Sequence, residues 1–265
     1  MKSSTVKIRS PEEIAKAREA GRLAAQVLAM IAPHVKPGVS TDDLDKLCHD
    51  YIVDELKVTP ANIGYHGYPK TLCASVNEVV CHGIPSAKTV LRDGDIVNLD
   101  VALIKDGWFG DTSRMYFVGE PKPQAKRLVE TCYEAMCAGI KKVKPGATLG
   151  DVGFAIQRVA HREGFSVVRE YGGHGIGDIY HDAPHVLHFG KPGDGLRLKE
   201  GMIFTIEPMI NAGKRGIREM ADGWTVVTID RSLSAQWEHM VLVTADGFEV
   251  LTPWPDGTGD YPAIG

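Results

Sequence analysis

The chain has 265 residues, 43% hydrophobic and 24% charged, enough for one large core and too apolar for a disordered protein. Its formal charge of -4 gives no overall electrostatic reason to expect nucleic acid or an anionic membrane surface as the main partner, and no apolar run reaches the roughly 18 to 20 residues that span a bilayer. The start, Met1-Lys2-Ser3-Ser4-Thr5, leads into a polar helix rather than a signal core, which places the protein in the cytoplasm, and five cysteines without a C-x-x-C pair read as reduced thiols, most of them in the core.

Ser10-Pro11-Glu12-Glu13 combines an N-cap, a proline at the first helical position and a capping-box acid, so a helix is predicted with Ile14, Ala17, Leu28 and Ile31 on its apolar face. Val35-Lys36-Pro37-Gly38 ends it. Ser40-Thr41-Asp42-Asp43 opens a second helix carrying Leu44, Leu47, Cys48, Tyr51 and Ile52. The same signals then recur. A helical stretch through Leu128, Val129, Cys132, Met136 and Ile140 runs into Val143-Lys144-Pro145-Gly146, and Thr148-x-x-Asp151 opens a helix through Val152, Ala155, Ile156 and Val159. The repeat extends into strand-like segments: the run from Leu91 to Asp100 aligns with that from Leu198 to Glu207, and His82-Gly83-Ile84 is echoed by His174-Gly175-Ile176. Two related halves, residues 10–120 and 121–250 of one domain spanning 1–265, predict an α+β fold with pseudo-two-fold symmetry and helices on one face of an antiparallel sheet. The tail from Trp254 to Gly265, rich in Pro, Gly and Asp, reads as loosely ordered.

Asp100, Asp111, His174, Glu207 and Glu238 each lie in or beside an apolar, strand-like run. One such acid alone reads as an exposed strand residue or a salt-bridge partner. Four clustered carboxylates repel one another and take up protons unless cations of comparable charge lie between them. Two divalent metals cancel that charge. Asp106-Gly107 marks a turn between the runs Ile96 to Ile104 and Trp108 to Val118, and with Lys105-Asp106 as the loop Asp100 faces Asp111 directly. Glu207 and Glu238 occupy a second pair of strands. Mostly oxygen donors with one imidazole suit Mn, Fe(II), Co or Mg, with Zn still open, and a pair of such ions sharing a hydroxide nucleophile points to hydrolysis.

In that order, within D-V-x9-D, G-G-H-G-I-G, T-I-E-P and Q-W-E-H, the five residues resemble the type I methionine aminopeptidases. The resemblance covers nearly the whole chain, including Gly64-Tyr65-His66-Gly67-Tyr68-Pro69-Lys70, Asn77 to Gly83 and Asp230 to Gln236. It implies the pita-bread fold and removal of the initiator methionine from nascent polypeptides when the second residue is small. It also implies roles: Asp111 and Glu238 bridge two metals, Asp100 chelates one, His174 and Glu207 complete the other, and Glu207 shuttles a proton. His82 contacts the substrate near the scissile amide and His181 stabilises the oxyanion; a hydrogen-bonded structural histidine is the plainer reading of either. Tyr65, Tyr68, Cys73, Tyr180 and Trp224 match the methionine side-chain pocket, although as bare sequence they read as core aromatics. Two departures stand out, Asn62 where some relatives have cysteine and Tyr180 where phenylalanine is common. A Na or K ion held near Asn77, Val79 and Ser234 is a further implication, as are an encounter with the ribosome and a monomeric state.

His181, His185 and His188 have helix-like spacing for a second zinc site, but Pro184 argues against a regular helix. A prolidase or aminopeptidase P type of peptidase shares the ligand types but normally carries an added N-terminal domain, for which the roughly 80 residues before His82 leave no room. A noncatalytic binding protein on the same fold would lose metal ligands, and all five are present.

Overall fold

The computed structural model describes residues 5–255. Helices α1 (Pro11–Ile31) and α2 (Thr41–Asp50) start on the predicted capping boxes, Ser10 with Glu13 and Ser40 with Asp43. A third helix, α3 (Pro123–Ile140), starts on proline without a side-chain cap, and α4 (Leu149–Arg162) starts on the box of Thr148 with Asp151. In each box the hydroxyl accepts one backbone N–H and the carboxylate another, satisfying donors that a helix end leaves unpaired. Each cap contributes on the order of 1 kcal/mol. Tyr51 and Ile52, expected in the second helix, lie in a π-helical turn that extends it to Glu55.

Strands β1 (Leu72–Val76), β2 (Ile96–Lys105) and β3 (Trp108–Phe117) form an antiparallel sheet with β2 in the middle, and Thr59–Pro60 continues the β1 edge. A second sheet is built from β4 (Gly173–Gly175), β5 (Asp182–Val186), β6 (Ile203–Ile206) and, past β7 (Met209–Asn211) and β8 (Ser234–Gln236), β9 (His239–Val243). A bridge between Ser113 and Glu238 ties β3 to this second half. α1 and α2 bury Leu28, Ile31, Leu44 and Ile52 against Leu99, Val101 and Leu103. On the other half α3 and α4 bury Val129, Met136, Val152 and Ile156 against Phe204, Ile206, Trp237 and Val241. The helices thus cover one side of the strands, and the acids emerge on the other.

The hairpin differs from the sequence expectation. Its turn is Asp106-Gly107, not Lys105-Asp106: both residues have positive φ (50° and 81°), as a primed Asp-Gly turn requires, and Lys105 pairs with Trp108. Asp100 therefore faces Ser113, and Asp111 faces Ala102. A displacement by two residues preserves the face each side chain takes, so Asp100 and Asp111 remain together as diagonal neighbours, not as a direct pair. The five cysteines are free thiols, four of them buried. Trp254 is docked rather than loose, with the Arg114 guanidinium 4.4 Å from its ring; the rest of the expected tail, beyond Pro255, lies outside the described residues.

Candidate active site and metal centre

Asp100 and Asp111 come from the β2-β3 hairpin and His174 from β4. Glu207 and Glu238 stand where two ladders are interrupted. The register that pairs Ile206 with His239 and Met209 with Gln236 sets Glu207 opposite Glu238, beside Pro208, which has no N–H to give a ladder. Ligand atoms of Asp111, His174 and Glu238 lie within 4.8 Å of one another. His174 Nε2 is 3.4 Å from Asp111 Oδ2 and 3.6 Å from Glu207 Oε1, while Nδ1 lies 3.1 Å from the Gly175 carbonyl oxygen. An Nδ1–H donated to that carbonyl leaves Nε2 facing the acids as the ligand nitrogen.

Burial of these acids is electrostatically costly. Asp100 is pushed well above the usual carboxylate range by burial and by the charges of Asp111 and Glu207. Glu238 is raised in the same way, by burial and then by Asp111, Glu207 and Asp100. Glu207 rises to about 7 through burial and Asp111, with His174 and the Thr205 hydroxyl opposing. Burial alone would lower the His174 pKa, but the Asp111 contact and the Glu207 charge raise it. Among the described residues, the Oδ1 atoms of Asp100 and Asp111 are buried without a hydrogen-bond partner. Buried carboxylate oxygens left without donors, beside a ring nitrogen and two further acids, are the signature of a site that divalent cations complete.

Glu207 is held by groups to which the sequence assigned no part in orienting it. Thr205 Oγ1 donates to Glu207 Oε1 (2.7 Å) and accepts the His174 N–H (3.0 Å), Gln236 Nε2 donates to Glu207 Oε2 (3.2 Å), and the Glu207 N–H donates to His188 Nε2 (3.1 Å). That bond and full burial, which pushes His188 down to about 3, keep the imidazole neutral. The zinc reading of His181, His185 and His188 fails here: His185 is exposed, His188 is spent on Glu207, and the metal-capable group among the described residues is Asp111, His174 and Glu238.

One cavity of about 290 Å³ takes in all five acid-and-histidine positions together with Tyr65, Tyr68, Cys73, His82, Tyr180, His181 and Trp224, every residue the sequence placed in the site apart from the monovalent group. Asn62 and His66 also line it. His66 had a signal, the Gly64 and Gly67 bracket that gives this turn its positive φ values. Part of His181 is exposed, but its ring packs on His174 (4.0 Å), Tyr180 (4.2 Å) and Tyr65 (5.1 Å). Desolvation and the neighbouring His174, His82 and His66 push it down to about 3, so it is neutral at pH 7. His82 sits edge-on to Tyr171 and Trp224, and burial lowers its pKa. Away from the cavity, the Asn77 carbonyl accepts the Ser234 N–H at 2.9 Å, with Val79 two residues on in the short strand Val79–Cys81.

Comparison with known proteins agrees with this architecture. The model of metallopeptidase family M24 matches residues 15–245. The methionine aminopeptidase of Escherichia coli K12 is 56% identical over 259 residues, 98% of this chain and 97% of that protein. That of Rickettsia prowazekii is 54% identical over 259 residues, 97% and 99% of the two chains. The crystal structure of the methionine aminopeptidase from Rickettsia prowazekii superposes with a TM-score of 0.92 at 53% identity, covering 94% of this chain and all of that one. The prolidase of Pyrococcus horikoshii shares the fold at a TM-score of 0.72 and 21% identity, covering 92% of this chain and 63% of its own. The chain belongs to metallopeptidase family M24, with that family's pita-bread fold, and stands with its methionine aminopeptidases.

Proposed function

We propose that this protein is a metal-dependent aminopeptidase that removes the N-terminal methionine of new polypeptides when the second residue is small. The observation that carries the reading is one cavity in which buried, partnerless carboxylate oxygens meet an aromatic and thiol lining suited to an unbranched thioether side chain. Asp111 and Glu238 would hold two divalent ions in common, Asp100 one of them, and His174 and Glu207 the other. Bound there, such ions supply Lewis acidity for the scissile carbonyl and lower the pKa of water. The donor set suits Co, Mn or Fe(II), and Zn also fits.

The chain's own residues do the rest. Glu207, oriented by Thr205 and Gln236, moves a proton from the attacking water toward the departing amine. His181, neutral and packed beside His174, donates to the oxyanion as it develops. His82 contacts the peptide near the scissile amide. Tyr65, Tyr68, Cys73, Tyr180 and Trp224 surround the methionine side chain and orient it. Asn77, Val79 and Ser234 would hold a Na or K ion through mostly backbone oxygens, beside the Ser234 N–H to Asn77 carbonyl contact. The partners of this reaction are N-terminal methionine peptides and nascent chains, met at the ribosome by a cytoplasmic monomer; no described helix is long and apolar enough to cross a membrane.

The test compares Met-Ala, Met-Lys and Ala-Pro peptides on metal-loaded and chelated protein. Methionine should leave Met-Ala but not Met-Lys, and chelation should end turnover until a divalent ion is restored. Undiminished turnover after metal removal refutes the metal reading, and faster cleavage of Ala-Pro than of Met-Ala transfers the protein to the prolidase type.

A further inference from the structure

Asn62 and Tyr180, separated by 118 positions in the chain, meet in the cavity: the Tyr180 hydroxyl donates to Asn62 Oδ1 at 2.7 Å. The direction of that bond is fixed from the far side. Asn62 Nδ2 donates to the Thr71 carbonyl oxygen at 3.1 Å, and a carbonyl can only accept, so the amide oxygen must be the atom turned toward Tyr180. Both residues are 7% exposed. The ring of Tyr180 has little freedom, stacked on Phe109 at 5.1 Å and 9° and packed by Tyr65 at 4.9 Å. Asn62 is equally anchored, since its carbonyl accepts the Tyr65 N–H and the preceding Ala61 N–H donates to Ala102.

The pair leaves one donor over. An amide has two N–H groups, and among the described residues only one of those on Asn62 has a partner. Within the same lining the Tyr68 hydroxyl is already committed, directed at the Leu72 and Gly83 carbonyls. A pocket that only had to accept a four-atom apolar chain would have no use for a locked amide in its wall, where an unmatched N–H is costly.

We propose that the Asn62–Tyr180 pair is a specificity determinant that reads a heteroatom in the N-terminal side chain, favouring an unbranched chain with a hydrogen-bond acceptor near its δ position over an all-carbon chain of equal length. The substrate class this selects is the thioether of methionine and, more strongly, its sulfoxide, whose oxygen is the better acceptor. The inference rests on the cavity being the methionine side-chain pocket, as proposed above. Tyr180 acts by holding the Asn62 amide in one orientation, and Asn62 makes the contact.

The experiment measures kcat/KM for Met-Ala-Ser, norleucine-Ala-Ser and methionine-sulfoxide-Ala-Ser on metal-loaded wild type, Asn62→Leu and Tyr180→Phe, comparing ratios within each protein so that a general loss of rate cancels. A neutral hydrogen bond predicts a methionine preference over norleucine of about threefold and a sulfoxide preference over norleucine of about tenfold in the wild type. Both ratios should fall to about one in Asn62→Leu, and both should drop at least about twofold in Tyr180→Phe, where the amide loses one of its two anchors. Ratios unchanged in Asn62→Leu, or a wild type that prefers norleucine to the sulfoxide, overturn the proposal while leaving the aminopeptidase reading intact. A wild type that does not cleave Met-Ala-Ser at all removes both. Should Asn62→Leu fail to fold, Tyr180→Phe, which loses one hydroxyl and keeps its ring stack, decides the matter by the same ratios.

Discussion

In metal-stripped protein the charge on Glu207 should have a measurable effect on stability. Burial and Asp111 raise its carboxyl to about 7 from an ordinary 4.5. A folded-state pKa above the unfolded one means that folding favours the protonated form, so the contribution is complete below pH 4.5 and is lost as pH climbs through 7. At about 1.36 kcal/mol per pKa unit the loss amounts to about 3 kcal/mol. Total stability hides this, because the neutral imidazoles act in the opposite sense. His181 and His188, pushed to about 3, and His239, pushed to about 4, have folded pKa values below their unfolded ones. Their stabilisation is present above the ordinary histidine pKa of about 6.5 and is lost as pH falls. Glu207→Gln isolates the carboxyl, since those histidines are common to both proteins. Denaturant unfolding of chelated wild type and variant between pH 4.5 and 8 should show their difference swing by about 3 kcal/mol toward the variant at the alkaline end, roughly 5 to 10 °C in Tm. A difference that stays flat across that range refutes the buried-carboxylate argument.

Other parts of the molecule give equally direct tests. Asp111→Asn should weaken divalent metal binding at least about hundredfold by calorimetry, since it takes a charge from a residue assigned to both ions; wild-type affinity would remove Asp111 from the ligand set. Metal binding to wild type at pH 6.5 should release protons, visible as a dependence of the calorimetric enthalpy on buffer, because the raised Asp100, Glu207 and Glu238 carboxyls must ionise to bind. Gly110→Ala should cost about 1 to 3 kcal/mol or more in chemical denaturation, because its Cβ would run into the Ala20 carbonyl of α1. Thr148→Ala should cost on the order of 1 kcal/mol, the loss of one cap, with kcat unchanged.

How far the site could be read from sequence follows from what each residue costs where it stands. An acid in an apolar strand is expensive, so Asp100, Asp111, Glu207 and Glu238 announce themselves, and the cavity brings them together with His174. The capping boxes were legible for a related reason: each is a local hydrogen-bond requirement met within four residues. The hairpin shows how fine the margin is. Asp106-Gly107 is a turn signal, yet a loop one residue earlier would set Asp100 opposite Asp111; the positive φ of both Asp106 and Gly107 decides the true register. The side-chain face survived that error because the strand period is two.

What stayed hidden is cheap in isolation. Thr205 and Gln236 are ordinary strand residues, and His188, marked in the sequence only by its spacing to His181 and His185, lies just past a strand; only the fold sets all three around Glu207. Asn62 and Tyr180 were each visible as a departure from the resemblance, but their meaning lies in the bond between them, formed only when the turn after Thr59–Pro60 meets the segment after β4. A polar residue in an apolar pocket is a cost when taken singly. As a locked pair with one donor to spare, it becomes a reason to ask what the pocket holds.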